Sequence, residues 1–291
     1  MTEVFKKLYC CFYQHVCAKN GEAYAKRMDA RIRFGRKLNL DHPVSLADKI
    51  IWLELNKQSS LKVDCTDKYL VRDYLKIKEM RQYLIPLCAD PWFSEADISF
   101  DGLPNQFVMK ATHGCKMNHI CLDMANTKRE ELFSLAKTWL CSNYVGAYFE
   151  PHYRKIKRGV ICENLIASPD EIVDYKIHCI NGNPEFILTC CDRSTELKLG
   201  LYDLNWRKID GLTSGTLTAE VNKPENLDEM IRASKRLSED FDFVRVDLYE
   251  TKGRIYFGEL TFTPASGVLP YFTDEFLKEQ GEKLVISSLV S

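Results

Sequence analysis

The chain has 291 residues, 45% hydrophobic and 28% charged, with 40 Lys and Arg against 41 Asp and Glu. Enough apolar side chains are present to build a core, which excludes a disordered polymer. The near-zero net charge speaks against nucleic acid as a partner, since phosphate backbones are met by a basic excess. No apolar run reaches the roughly 18 residues of a membrane-spanning helix, so no transmembrane segment is expected.

In chain order, residues 1–60 read as helix and loop. Met1 to Asn20 is mildly amphipathic through Val4, Phe5, Leu8, Tyr9, Phe12 and Val16, without the continuous apolar core and cleavage site of a signal peptide. Ser45 with Asp48 forms a capping-box pattern ahead of Ile50, Ile51, Leu53 and Leu55. A second helical stretch follows Thr66 through Tyr69, Leu70, Tyr74 and Leu75. Asp101-Gly102-Leu103-Pro104 signals a turn, and Phe107-Val108-Met109-Lys110 reads as a strand. Thr127 with Glu130 predicts another capped helix carrying Leu132, Leu135, Trp139 and Leu140. Strand patterns then cover residues 160–166, 175–180, 186–190, 241–250 and 254–262, interrupted by a capped helix over 226–237. Asn181-Gly182-Asn183-Pro184 reads as a hairpin turn. Without a regular βαβα rhythm, the pattern predicts an α+β fold with largely antiparallel sheets. The twelve cysteines include no C-x-x-C pair and mostly sit in apolar runs, as expected of buried, reduced thiols in a cytoplasmic protein.

Two segments carry chemistry. With Thr251-Lys252-Gly253 as a three-residue turn, Arg245 faces Glu259 and Asp247 faces Phe257, with Thr261 on the same face. Val244, Val246, Leu248, Tyr256, Leu260 and Phe262 then fill the other face. Two carboxylates with a hydroxyl suit Mg²⁺, although the same spacing also fits a surface ladder of charge pairs. The second segment is Lys110-Ala111-Thr112-His113-Gly114-Cys115-Lys116-Met117-Asn118-His119, a strand ending in lysine and then a small polar loop. Such a loop can lay backbone N–H groups against phosphate while the lysine supplies charge. It matches neither the P-loop nor the dinucleotide fingerprint. The alternating His113, Cys115, His119 and Cys121 lack the paired-knuckle spacing of structural zinc.

The order Asp67-Lys68, Phe107-Val108-Met109-Lys110 with its loop, Glu163-Asn164-Leu165-Ile166, Asp174-Tyr175-Lys176, Arg245-Val246-Asp247-Leu248-Tyr249 and Tyr256-Phe257-Gly258-Glu259-Leu260-Thr261-Phe262-Thr263-Pro264 resembles the ATP-grasp superfamily. More narrowly, it is similar to the ATP-grasp branch associated with teichuronopeptide synthesis, over roughly residue 61 to the C-terminus. The resemblance implies an ATP-grasp fold of two α+β subdomains clasping ATP, at 61–170 and 171–291, behind a helical region at 1–60. It implies that Lys68 and Lys110 hold ATP phosphates under a loop containing His113 and Gly114. Glu163 and the backbone at Leu165 and Ile166 would meet adenine, and Asp174 the ribose. Asp247, Glu259 and Thr261 would bind Mg²⁺, with Thr261 standing where many members carry asparagine. Arg245 would face the transferring phosphate, joined by Lys176 and Arg193. Typical members place a Rossmann-like domain ahead of the first lysine. The helical reading of the residues before Lys68 implies a differently built acceptor side.

The implied activity is ATP-dependent carboxylate–amine ligation through an acyl phosphate. The implied partners are ATP, a carboxylate acceptor such as a uronic acid of a surface polysaccharide or its precursor, and an amine donor. The alternatives on the same fold are a kinase acting on a sugar hydroxyl and an inactive nucleotide-binding module in a glycan-assembly complex. The intact Lys68, Lys110, Asp247 and Glu259 speak against the last.

Overall fold

In the computed structural model, residues 3–144, 146, 149–168, 171–191 and 196–286 are described. They form, in order, α1 (Glu3–Asn20), α2 (Glu22–Phe34), α3 (Leu46–Asn56), α4 (Ser60–Thr66), α5 (Val71–Ile77), β1 (Phe107–Ala111), β2 (Asn118–Cys121) and α6 (Arg129–Cys141). There follow β3 (Val160–Asn164), β4 (Asp174–Ile180), β5 (Asn183–Cys191), β6 (Lys198–Tyr202), α7 (Leu227–Ser238), β7 (Phe243–Thr251), β8 (Arg254–Thr261) and α8 (Asp274–Lys283). The fold is α+β, and both sheets are antiparallel throughout. No helix among the described residues is long and apolar enough to cross a membrane.

The chain divides into two compact units. The smaller comprises Ser59–Ala147 and Pro151–Ser168; the larger comprises Met1–Gln58, Tyr148–Glu150 and Pro169–Ser291. The helical residues 1–58 therefore belong with the C-terminal part of the chain.

The smaller unit carries the sheet β2-β1-β3. Strand alternation sends Phe107, Met109 and Ala111 of β1, with Val160 and Cys162 of β3, against Leu132, Ala136, Trp139 and Leu140 of α6. The opposite face receives Val108, Lys110, Ile161 and Glu163, because β1 and β3 pair Val108 with Glu163 and Lys110 with Ile161. The cap expected at α6 does not form. Thr127 Oγ1 donates to Asp123 O at 2.6 Å, and the helix starts at Arg129 without a side-chain cap.

The larger unit carries the sheet β6-β5-β4-β7-β8. One face packs on α7. On the other, Phe186, Leu188, Leu199 and Leu201 meet Leu46, Ile50 and Leu53 of α3 and Phe276 and Leu277 of α8. The Ser45–Asp48 capping box starts α3 as expected. Asn226, expected to cap α7, instead donates its side-chain amide to Glu250 Oε1 and Gly253 O, tying the helix start to the β7–β8 turn.

Two tight turns set the pairing. Asn181 (φ 47°) and Gly182 (φ 75°) link Ile180 to its partner Asn183, a two-residue turn needing positive φ at both positions. Between β7 and β8, Thr251 pairs with Arg254, so the turn is Lys252-Gly253 rather than three residues. A bulge between Asp247 and Leu248 then shifts the register by one. Asp247 consequently faces Glu259, and Arg245 faces Thr261. Beyond the bulge Leu248 pairs with Phe257 and Glu250 with Ile255, so Phe257 and Ile255 replace Tyr256 on the apolar face. Gly258 permits this approach: a Cβ there would lie 3.0 Å from the Asp247 backbone oxygen.

Candidate active site

In the larger unit, the pairing of Lys176 with Asp247 and of Asp247 with Glu259 brings three strands to one polar face. Arg245 Nε and Nη2 each donate to an Asp247 carboxylate oxygen at 2.6 Å. Lys176 Nζ donates to Asp247 Oδ2 at 2.5 Å and lies 3.2 Å from Asp174 Oδ2. Arg245 Nη2 also reaches Thr261 Oγ1 at 3.0 Å and Glu259 Oε1 at 3.4 Å, while Thr261 Oγ1 donates to Glu259 Oε1 at 2.8 Å. Asp174, Lys176, Arg245 and Asp247 are buried, whereas the Glu259 side chain is 36% exposed.

Burial on its own would raise the Asp247 carboxyl. The Arg245 guanidinium and Lys176 ammonium outweigh it and hold the group below its ordinary value. Burial and Arg245 both disfavour the Lys176 ammonium, but Asp247 and Asp174 reverse the balance and raise its pKa. Burial likewise opposes the Arg245 charge, and Asp247 more than restores it. His178, paired across the strands with Arg245, is fully enclosed and stacks on Phe186 at 4.3 Å. Burial first, then Arg245, keeps its imidazole neutral, so it is a core residue.

In the smaller unit, Lys110 Nζ donates to Glu163 Oε2 at 2.6 Å. Arg72 of α5 joins them, with Nη1 3.4 Å from Glu163 Oε1 and 3.0 Å from Ile85 O. Lys68 Nζ donates to Gly114 O at 2.7 Å, and Lys68 N to Thr112 O at 3.2 Å, so Lys68 holds the loop after β1. Asp67 caps the turn beside it, accepting from the Tyr69 and Leu70 amides; burial outweighs those bonds and pushes its carboxyl up to about 6. Gly114 is closely packed, since a Cβ there would fall 2.4 Å from Met117 Sδ. His113 is buried, its Nε2 at 3.2 Å from Ser142 O, and burial depresses its pKa. Leu165 and Ile166 follow the end of β3. Arg193 lies outside the described residues.

The structure thus brings together Asp174, Lys176, Arg245, Asp247, Glu259 and Thr261 in one unit, and Lys68 with Gly114 and Lys110 with Glu163 in the other. Sequence reasoning missed Arg72 and Tyr271. Arg72 stands four residues after Lys68, in the first turn of α5, and that proximity in sequence could have flagged it. Tyr271 is set beside the polar group by the tertiary fold; burial first raises its phenol, which reaches about 12, with Arg245 acting in opposition.

The donor set in the larger unit consists of hard oxygens. Asp247 and Glu259 face each other, and three carboxylates meet two cations, leaving one net negative charge. That chemistry fits Mg²⁺, which takes one or two carboxylates and completes its shell with water and phosphate. Both Asp247 oxygens are engaged by Arg245 and Lys176, so Glu259 is the more accessible carboxylate of the two.

Many solved structures are similar to the chain, three of them as follows. The D-alanine–D-alanine ligase of Helicobacter pylori shares 14% identity over 86% of this chain and 72% of that one, with a TM-score of 0.45. The D-alanyl-alanine synthetase A of Vibrio cholerae shares 13% over 84% and 69% (TM-score 0.47). The L-amino acid ligase of Bacillus licheniformis shares 16% over 93% and 64% (TM-score 0.47). No curated protein matches the chain. The profile of the TupA-like ATPgrasp family matches residues 48–285, a span containing every site residue described above, and the chain belongs to that family.

Proposed function

We propose that this protein is an ATP-dependent carboxylate–amine ligase. The observation that supports the reading most directly is Arg245, locked at two points on Asp247 and reaching Glu259 and Thr261 on one sheet face of an ATP-grasp chain. In this reading a carboxylate oxygen attacks the γ-phosphorus of ATP and ADP leaves. An amine then attacks the acyl carbon of the acyl phosphate, phosphate leaves and the amine loses a proton, giving an amide.

Lys68 and Lys110 take ATP phosphates, the latter by exchanging Glu163 for them, and the loop with His113 and Gly114 covers them. Glu163 and the backbone at Leu165 and Ile166 take adenine, and Asp174 the ribose. Asp247, Glu259 and Thr261 hold Mg²⁺, which supplies charge neutralisation on the phosphates when bound. Arg245 is oriented by Asp247 before any phosphate arrives, so little reorganisation is needed as charge develops on the transferring group. Lys176, kept charged by Asp247 and Asp174, adds a second cation to that face, and Arg193 is a further candidate. The acceptor is a uronic acid of a surface polysaccharide or its precursor, and the donor an amino acid or small amine. The resemblance to the teichuronopeptide branch supports this choice.

Purified protein with Mg²⁺ and millimolar ATP is expected to melt at a higher temperature than without, because a ligand bound only by the native state stabilises it. Supplied with panels of uronic acids and amines, it is expected to release ADP and phosphate and form an amide detectable by mass. Hydroxylamine in place of the amine is expected to yield a hydroxamate. A phosphorylated hydroxyl with no hydroxamate would decide for a kinase, and the absence of any nucleotide effect on a well-folded sample would sink the reading.

A further inference from the structure

Lys110 is poorly placed for a phosphate as long as it holds Glu163. Its ammonium sits 2.6 Å from Glu163 Oε2, and the Glu163 side chain is only 9% exposed. Moving Lys110 onto a nucleotide phosphate would remove the nearer of two cations from a buried carboxylate, which is costly if nothing replaces it. The second cation is already present. Arg72 rises from α5 with its side chain 14% exposed, slightly less than the 19% of Lys110, and approaches the other carboxylate oxygen at 3.4 Å. The same Nη1 donates to Ile85 O at 3.0 Å, which anchors the guanidinium independently of Glu163. The backbone beyond Ile85 pairs with β3, since Leu87 bridges to Glu163 and Cys88 N donates to Cys162 O. Arg72 is therefore tied to the segment that flanks Glu163. Lys110 reaches the carboxylate through a flexible stem with a single short bond.

We propose that Arg72 is a positioning residue that keeps Glu163 paired and in place while Lys110 transfers from Glu163 to the phosphates of the nucleotide. This rests on the reading of Lys110 as a phosphate ligand. The pair that persists in the loaded site is Arg72–Glu163. Without Arg72, Glu163 retains Lys110 and competes with the nucleotide for it.

Tripolyphosphate with Mg²⁺ is the probe, because it lacks the base and sugar and so isolates the phosphate contacts. Its dissociation constant is measured by calorimetry on the full chain, with melting temperatures confirming that each variant is folded. Arg72→Met is expected to weaken binding by ~10-fold or more, the size of losing one hydrogen bond to a charged group. Arg72→Lys should recover part of the loss. The decisive variant is the double Arg72→Met/Glu163→Gln, expected to bind within about threefold of wild type, because an uncharged amide in place of the carboxylate no longer retains Lys110. With ATP as substrate, Arg72→Met should raise KM and leave kcat nearly unchanged. The proposal is overturned if folded Arg72→Met binds tripolyphosphate like wild type, or if the double variant binds no better than Arg72→Met. Lys110→Met separates the two readings. If it binds tripolyphosphate normally, the phosphate role of Lys110 falls and this proposal with it. If it binds weakly while Arg72→Met is normal, only the role of Arg72 falls.

Discussion

Asp247 and Glu163 are both buried strand carboxylates that hold two cations, and they hold them differently. Asp247 is gripped at both oxygens by the Arg245 fork at 2.6 Å and again by Lys176 at 2.5 Å, with its side chain 2% exposed. Glu163 has one close partner at 2.6 Å and one at 3.4 Å, both on side chains that reach solvent. The first arrangement suits a charge that must stay oriented through a reaction. In the second, one partner can leave while the other remains, as the proposed nucleotide capture by Lys110 requires.

The largest expected effect tests that contrast directly. Asp247→Ala strands Arg245 and Lys176 without their shared carboxylate and should cost roughly 3–5 kcal/mol in urea unfolding, with turnover abolished. Lys110→Met should also abolish turnover but cost only about 1 kcal/mol, because Arg72 remains beside Glu163. Equal losses of stability would erase the distinction. Glu259→Gln, at the exposed edge of the same face, should abolish turnover with little loss of stability.

Arg245→Ala is expected next in size on activity. It should lower kcat by on the order of 10²–10³, more than it raises KM for ATP, as for a donor that acts mainly in the transition state. Arg245→Lys keeps the charge without the planar fork and should restore only part of the rate. A change in KM alone would make Arg245 a ground-state clamp.

A third buried carboxylate sharpens the comparison. Glu150 accepts from Thr263 Oγ1, and Lys26, Glu54 and Arg33 also act on it. Burial, reinforced by the Glu54 charge, outweighs the Thr263 bond and the Lys26 and Arg33 charges and pushes its carboxyl from 4.5 to about 7. Between these values the folded chain binds more protons than the unfolded chain, so the Glu150 contribution to stability falls as pH rises from about 4.5 to 7 and is level above. Asp247 has the opposite sign: its contribution is present above the ordinary carboxylate value and is lost as pH falls through its lowered folded value. Glu150→Gln should therefore flatten the stability profile between pH 4.5 and 7, and gain about 1 kcal/mol on wild type at pH 8. Denaturant unfolding of wild type and variant at pH 5, 6, 7 and 8 measures the Glu150 slope, and an unchanged profile would refute the burial argument.

The smallest effect concerns the bulge that aligns Asp247 with Glu259. Gly258→Ala places a Cβ 3.0 Å from the Asp247 backbone oxygen and the Tyr249 ring. A loss of about 1–2 kcal/mol is expected, with a few-fold drop in kcat. Full activity would mean that the register tolerates movement.

Local signals were most legible where one short stretch contains its own instruction. Ser45 and Asp48 cap α3 reciprocally, and Asn181-Gly182 makes the β4–β5 turn, because both depend on neighbouring backbone groups alone. The caps expected from Thr127 and Asn226 failed because other acceptors compete: Asp123 O for Thr127, and Glu250 with Gly253 O for Asn226. β2 was hidden inside a polar loop and is a strand only because β1 supplies its pairing, Lys110 opposite Asn118. The β7–β8 register was expected one way and formed another, yet Arg245, Asp247, Glu259 and Thr261 still meet, because the bulge at Gly258 restores directly opposed pairs below it.

By itself the amino-acid sequence determined the α+β class, the helical and strand stretches with strong periodicity, and the order of motifs that marks the ATP-grasp family. Those properties follow from residue spacing, which a strand or helix converts into faces without outside help. Only the tertiary structure decided which charges meet. Lys176 joins Asp247 from 71 residues away, Glu163 joins Lys110 from 53, and Arg72 reaches Glu163 across 91. Ion pairs between distant segments depend on strand register and helix placement, and these are set by the burial of whole faces against one another rather than by any local pattern.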